Sequence, residues 1–436
     1  MLKRAEKKKC LIGKILSPKN LTKAYYKVVA NGGSAGVDGM VVEELRSYIS
    51  SHRGTIALDI LSNAYHPQAI RGVEIPKSNG KKRLLGIPTV VDRWLQQAVS
   101  QQLMTIFEKD FSKNSYGFRP KKNLQQAVSQ SLRYINDGYQ DIVDIDLRGF
   151  FDEVSHMKLL QLVYDRVSCR CTLRLIRNWL RAPILKDGKL HRRRKGVPQG
   201  SPLSPLLSNI LLDKLDKELE RRGLKFVRYA DDFSIYTKSK SSAREIGNAI
   251  YVFLRNKLSL PINRTKSGIR RPTTFKLLGY GFVPIYKKGV RGKYQLVVAQ
   301  SSWDKLKRKL KRITKKTLPY NLEDRLRRLQ TTWQGWIHNY RIANIHSKLK
   351  QLDEWLRNRI RYCVWHDWKK PERKRKNFIQ LGIEQGQAYA WSRSRMGGWA
   401  VAQSPMLKTT ITISRLKRRG YKSMLEYYSH FKPSIR

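Results

Sequence analysis

Apolar residues along this chain repeat at two spacings, and the change from one to the other divides it. Up to about residue 70 they recur at helical spacing, broken at Asn31-Gly32-Gly33-Ser34-Ala35-Gly36, a run too rich in glycine for a helix and read as a loop. Residues 71 to about 95 predict a hairpin, with strands Gly72–Ile75 and Arg83–Ile87 around Ser78-Asn79-Gly80, whose Asn-Gly pair is a tight-turn signal. A helix follows through Leu103. Ile142, Val143 and Ile145 make a buried strand that ends at Asp146. Leu206, Leu207, Ile210 and Leu211 predict a helix over Leu203–Leu219, and strands Phe226–Tyr229 and Phe233–Tyr236 meet at Ala230-Asp231-Asp232. Short strands interleaved with helices predict an α+β core. Beyond residue 300 the pattern is helical again. The stripes are Trp303, Leu306, Leu310, Ile313; then Leu326, Leu329, Trp333, Trp336, Tyr340 behind an Asn321 cap; then Leu349, Leu352, Leu356, Ile360. Three such helices predict a small bundle.

Charge changes the picture. Lys and Arg number 89 against 33 Asp and Glu, a net charge of +56 on 436 residues. Hydrophobic residues at 40% and ten Trp place the chain among folded proteins, so the excess is not that of a disordered tail. A surplus this large on a folded chain calls for a polyanion, and nucleic acid fits better than a membrane, since no lipidation motif or apolar run of membrane-spanning length is present. Helix 303–316, including Lys309, carries almost no acid to offset its bases and suits a phosphate-lined groove. Four cysteines without zinc-ligand spacing read as reduced thiols.

The candidate chemistry lies in the acids. Asp146 ends one strand, and Asp231 and Asp232 stand at the turn between two others. Carboxylates from separate strands meeting at strand ends can seat two Mg²⁺ ions about 3.5–4 Å apart, which would activate a 3′-hydroxyl and clamp a triphosphate. An aromatic-x-Asp-Asp string alone is also an ordinary polar turn. Phe151 serves equally as core or as a platform beneath an incoming sugar. Gly196-Val197-Pro198-Gln199-Gly200-Ser201-Pro202 is a stiff loop feeding a helix N-terminus, suited to phosphate or base or to plain connection. Lys77 and Arg83 near the hairpin tip suit a triphosphate, or solvent. In Phe275-Lys276-Leu277-Leu278-Gly279-Tyr280-Gly281-Phe282, strand glycines allow either close approach of a primer or tight packing.

In this order the segments resemble the blocks of a reverse transcriptase, above all the reverse transcriptase–maturases of bacterial group II introns. Ser115-Tyr116-Gly117-Phe118-Arg119-Pro120, the Asp146 segment, the Gln199 loop, Phe226–Ile235, Asn263-Arg264-Thr265-Lys266-Ser267 and Phe275–Phe282 match successive blocks. Gly335 to Tyr340 and Trp355 to Trp368 are similar to the maturase-specific thumb. The resemblance implies a right-hand polymerase with α-rich fingers, α/β palm, helical thumb and small basic C-terminal region. Its parts would be an N-terminal extension over 1–70, fingers and palm over 71–299, thumb over 300–375 and a DNA-binding region over 376–436.

By position, Asp146, Asp231 and Asp232 become the catalytic triad and, with Leu147, the metal ligands. Lys77, Arg83, Phe151, Gln199 and Lys266 would contact the nucleotide, with Phe151 as sugar gate. Gly33, Arg119, Tyr229, Leu278, Gly279 and Lys309 would meet template or primer. The implied cofactor is Mg²⁺, with Mn²⁺ a substitute in vitro. The implied partners are group II intron RNA, an RNA template with DNA or RNA primer, target DNA and dNTPs, with no membrane, in the bacterial cytoplasm at the nucleoid. The Cys-pair and His-rich endonuclease of many relatives is not among these residues, which implies a primer end supplied by a nick or a replication fork. Two other readings stay open: a reverse transcriptase of a retron, diversity-generating or domesticated system, and an RNA-binding splicing factor that does not polymerise.

Overall fold

The computed structural model describes residues 11–76, 80, 82–286 and 292–431, and the chain forms two compact units, Met1–Arg271 and Pro272–Arg436. In the first, helix Val90–Phe107 is buried nearly all round, with Trp94, Leu95, Ala98 and Val99 in the core, and helix Pro18–Asn31 packs along it. The Trp94 indole donates to Leu21 O at 2.9 Å, and the buried Asn20 amide donates to Ala98 O at 3.0 Å, so polar groups at this contact are paired. The glycine-rich stretch before residue 37 is a loop, as its composition predicts.

Two sheets follow. Strands β1 (Ile70–Pro76) and β2 (Lys82–Ile87) form the expected antiparallel hairpin; its tip residues Lys77, Ser78, Asn79 and Lys81 lie outside the described residues. Strand β3 is Asp141–Ile145. The hairpin β4 (Ile184–Lys186) and β5 (Lys189–His191) extends the first sheet to the order β2-β1-β4-β5. It went unpredicted, although Asp187-Gly188, with φ of 49° and 74°, is the Asp-Gly signal of a two-residue turn. The second sheet has the order β6-β7-β3-β8, with β6 (Lys225–Tyr229), β7 (Asp232–Thr237) and β8 (Gly268–Arg270). Ile142, Val143 and Ile145 are all buried because this sheet is covered on both faces, which accounts for a nearly unbroken apolar run.

Helix Ser204–Arg221 is tied to this sheet by a buried ion pair. Arg228 on β6 and Asp216 on the helix are both fully buried, with the guanidinium at 2.7 and 2.5 Å from the two carboxylate oxygens. Its remaining arm donates to Asn209 Oδ1 at 2.9 Å and to Ala230 O at 3.0 Å.

In the second unit, β9 (Lys276–Leu277), β10 (Tyr280–Pro284) and β11 (Tyr294–Val298) form a small sheet. The three predicted stripes become helices Gln300–Ile313, Leu322–Tyr340 and His346–Asp367, and the Asn321 side chain accepts from Asp324 N at 2.7 Å. The segment after residue 376 is folded against the third helix. Buried Asp353 accepts from Tyr421 Oη, Ser423 Oγ, Met424 N and Leu425 N at 2.6–3.0 Å. Among the described residues no helix is long and apolar enough to cross a membrane.

Asp216→Ala is expected to cost about 3–5 kcal/mol in urea unfolding, because it strands the Arg228 charge in the core. Replacing both partners, Asp216→Leu with Arg228→Met, is expected to cost less than the single change. A loss for Asp216→Ala within the scatter of surface substitutions would contradict this.

Candidate functional site

Strand pairing assembles the acids. In the β3–β7 ladder Ile145 faces Phe233, so the next residues outward, Asp146 and Asp232, stand opposite each other at the sheet's edge. The β6–β7 hairpin closes with Tyr229 opposite Asp232, leaving Ala230 and Asp231 as its two-residue turn. Ala230 has φ 58°, a conformation that costs an L-residue roughly 1–2 kcal/mol. The turn is held from two sides: Arg228 donates to Ala230 O, and Gly117 lies so close that a Cβ there would collide with the Ala230 backbone. Tyr116 N donates to Arg228 O at 2.9 Å, which docks the Ser115–Pro120 segment on the same strand.

Asp146 is oriented by a strand-like return of the chain. Asn263 Nδ2 donates to Asp146 Oδ2 at 2.9 Å, Asn263 N donates to Asp146 O at 2.8 Å, and Ser267 Oγ accepts from Asp146 N at 3.0 Å. Thr265 Oγ1 donates to Asn263 Oδ1 at 2.8 Å and fixes the amide's sense. Lys266 Nζ lies 3.6 Å from Asp146 Oδ2. Leu147 is buried and bridged to Ile262, so its carbonyl is all it could offer a cation.

The acids crowd one another. Lost hydration raises Asp231, with Arg83 opposing and Asp146 adding to the rise. Lost hydration and then the carboxylates of Asp231, Asp146 and Asp144 push Asp232 up to about 6. Asp144, two residues before Asp146 and so on the same strand face, is paired with Arg270 at 2.7 Å.

Among the described residues no three His, Cys, Asp or Glu side chains close into a ready metal cage. The donor set still fits Mg²⁺. It is all oxygen, its three carboxylates outnumber the nearby cations Lys266 and Arg83, and Mg²⁺ typically takes only one or two carboxylates, completing its shell with water and substrate phosphates. Asp146, Asp231 and Asp232 are the side chains that would hold it.

Asp231 also lines a groove of about 790 Å³ with Gly33, Arg83, Phe151 and Gln199. Local contacts fix these positions. Val197 N donates to Phe151 O at 2.7 Å, and Gly86 N donates to Gln199 O at 2.9 Å, so the Gln199 loop is clamped between the Phe151 segment and β2. Gly200, at φ 134°, has no room for a Cβ, which would lie 2.5 Å from Gly86 O. Phe151 is half-buried at the groove wall, against Phe150 in the core. Lys77 lies outside the described residues.

Other expectations are placed differently. Arg119, expected at template or primer, has a side chain only 5% exposed that pairs with Glu108 at 2.9 Å while donating to Ser112 O and Ser115 O, so its guanidinium holds a loop. Tyr229 is half-buried at the end of β6. Leu278, Gly279 and Lys309 belong to the second unit. There the space above Gly279 is taken by the Tyr340 hydroxyl and by Ser302 Oγ, so the missing Cβ serves packing within the unit. Leu278, at φ 51°, forms the bend beside it, and Lys309 is exposed.

Two residues were missed. Asn263 opens the run Asn263-Arg264-Thr265-Lys266-Ser267, where nothing local marks it as a partner of Asp146. Arg93 lines the groove, donates to Ser34 O at 2.9 Å, and stands where a Gly33 Cβ would be, 2.7 Å from Nη1. Its signal was an arginine inside an otherwise buried helix.

Paired strand ends bearing three acids beside a groove lined by arginine, glutamine and an aromatic ring define a nucleotidyl-transferring palm. Residues 75–282 match the reverse transcriptase (RNA-dependent DNA polymerase) family, and residues 303–381 match the group II intron maturase-specific domain. The chain is 30% identical to Protein YkfC of Escherichia coli over 59% of its own length and 78% of that protein. It is 28% identical to the group II intron-encoded protein LtrA of Lactococcus lactis over 61% of its length, spanning 55% of that relative. A solved Cas6-RT-Cas1–Cas2 partial complex aligns over 57% of the chain at 25% identity, with a TM-score of 0.38. The chain belongs to the reverse transcriptases, and to those that carry the group II intron maturase-specific domain. Its α+β fold class, with the palm of a right-hand polymerase, is the one the sequence predicts.

Metal binding is expected to depend on pH with a definite sign. Asp232 must be ionised to bind, so Mn²⁺ affinity should be full above pH 7 and decline as pH falls through about 6. Titrations between pH 5 and 8 check this, and Asp232→Asn should flatten the profile. A wild-type affinity that does not change over that range would contradict the crowding.

Proposed function

We propose that this reverse transcriptase copies RNA into DNA at Asp146, Asp231 and Asp232, using Mg²⁺ and dNTPs. We propose too that it binds the RNA of its own intron to assist splicing and retrohoming. The observation that carries the first part is the β3–β7 register, which sets Asp146 against Asp232 beside a groove of nucleotide size. Bound Mg²⁺ would supply activation of the primer hydroxyl and charge neutralisation on the leaving phosphates. Arg83, reaching the groove from β2, suits the triphosphate, and Lys266 brings a second cation to the same acids. Phe151, its backbone held by the Val197 bond, offers a flat surface at the groove wall and is the side chain that would exclude a 2′-hydroxyl. Gln199 presents an amide to base or ribose.

The splicing role is supported by the maturase-specific domain and by the charge surplus, which exceeds what a polymerase groove requires. That domain favours an intron system over a retron or diversity-generating one. With this reading goes the four-part division at 70, 299 and 375, and action at the nucleoid on an RNA template, a DNA or RNA primer and target DNA.

Asp231→Ala is expected to abolish dTTP incorporation on poly(rA)/oligo(dT) with either Mg²⁺ or Mn²⁺, while binding of folded intron RNA persists. Loss of both would make the acids structural. Intact incorporation would remove them from catalysis. Phe151→Val is expected to relax discrimination against ribonucleotides by about tenfold or more, read as the ratio of kcat/KM values. An unchanged ratio would end the gate assignment.

A further inference from the structure

Strand β2 and the Gln199 loop form a thin wall with a hollow on each side. Residues of a strand alternate between faces, and here Arg83, Leu85 and Ile87 line the nucleotide groove while Leu84 and Gly86 line a second hollow of about 710 Å³. Gln199 borders both. The rim of the second hollow is the β4–β5 hairpin and the run His191-Arg192-Arg193-Arg194-Lys195 that leads into Gly196.

That run is built to present charge. Arg193 turns inward and donates to Leu180 O at 2.8 Å, Ala182 O at 3.3 Å and Trp179 O at 3.4 Å, at the C-terminus of helix Arg170–Arg181. It acts as a peg. Its neighbours Arg192 and Arg194 are thereby directed out to solvent, one on each side, and Lys189 on β5 is exposed beside them. Other bases of the hollow are already matched: Lys186 by Glu74 at 2.5 Å and Lys195 by Glu153 at 2.6 Å. No ion pair is formed by Lys189, Arg192 or Arg194 among the described residues.

We propose that Lys189, Arg192 and Arg194 hold the phosphate backbone of a folded RNA on the outer face of this wall, while the groove on its inner face remains open to nucleotide. This rests on the reading that the chain binds structured RNA, and it names a surface of the first unit that does so. Because the wall is shared, an RNA seated there lies one strand's thickness from the insertion site without entering it.

The test uses the full chain with Lys189→Glu, Arg192→Glu and Arg194→Glu combined, and the corresponding triple Gln variant should the reversal impair folding. Two assays are read: Kd for a folded group II intron transcript as a function of salt, and dTTP incorporation on poly(rA)/oligo(dT). Expected is a log–log salt slope shallower by about 2, with affinity reduced about tenfold at moderate salt. The kcat/KM for dTTP is expected to stay at the wild-type value. An unchanged slope and Kd would overturn the proposal, and so would equal loss of RNA binding and of incorporation. A changed inhibition by pyrophosphate with RNA binding intact would assign the hollow to a small anion and also overturn it. Wild-type protein that extends primers yet binds no folded RNA would remove the RNA-binding reading and this surface together, whereas a normal wild-type slope shared by the variants would sink this surface alone.

Discussion

The site depends on forcing like charges together. Antiparallel pairing of β3 with β7 leaves Asp146 and Asp232 no choice but to face each other, and the hairpin adds Asp231 one residue away. Lost hydration and the neighbouring carboxylates together drive Asp232 up to about 6. Something must outweigh the repulsion, and the structure supplies a buried framework. Arg228, fixed by Asp216 and Asn209, grips the Ala230 carbonyl, while Gly117 lets a second segment close over the strained turn. Asn263 takes one oxygen of Asp146 and so sets the direction of the other. These groups do no chemistry. They hold a charge arrangement whose natural relief is a divalent cation, the kind of pre-organisation that makes electrostatic catalysis efficient.

The same economy appears in the wall formed by β2 and the Gln199 loop. Backbone bonds link Phe151 to Val197 and Gly86 to Gln199, so the candidate sugar gate and the candidate base contact are parts of one clamped piece. Glycines at 86 and 200 allow the approach, since a Cβ at either would meet the other segment. A side chain added at Gly200 would therefore push the Gln199 loop away from β2.

Much of this was legible in the residues. The apolar run ending at Asp146, the hairpin at Asp231, the three thumb stripes and the Asn321 cap all follow from periodicity and capping chemistry, which are local. What was not legible was pairing between distant parts. Arg119 looks like an open nucleic-acid contact until Glu108 is seen beside it, and nothing local shows that Tyr340 packs into the space Gly279 leaves. Arg93 and Asn263 escaped for the same reason: their partners, Ser34 and Asp146, lie 59 and 117 residues away. The hairpin at Asp187-Gly188 is a different case, a local signal on strands too short to show alternation.

The central claim is that three carboxylates gather a pair of divalent ions at the growing end. The most direct measurement is Mn²⁺ paramagnetic resonance on the protein with a chain-terminated primer, an RNA template and the next dNTP. The account predicts two ions per chain, magnetically coupled at about 3.5–4 Å. A single uncoupled ion, or binding that persists when Asp146 and Asp231 are both replaced by Asn, would contradict it.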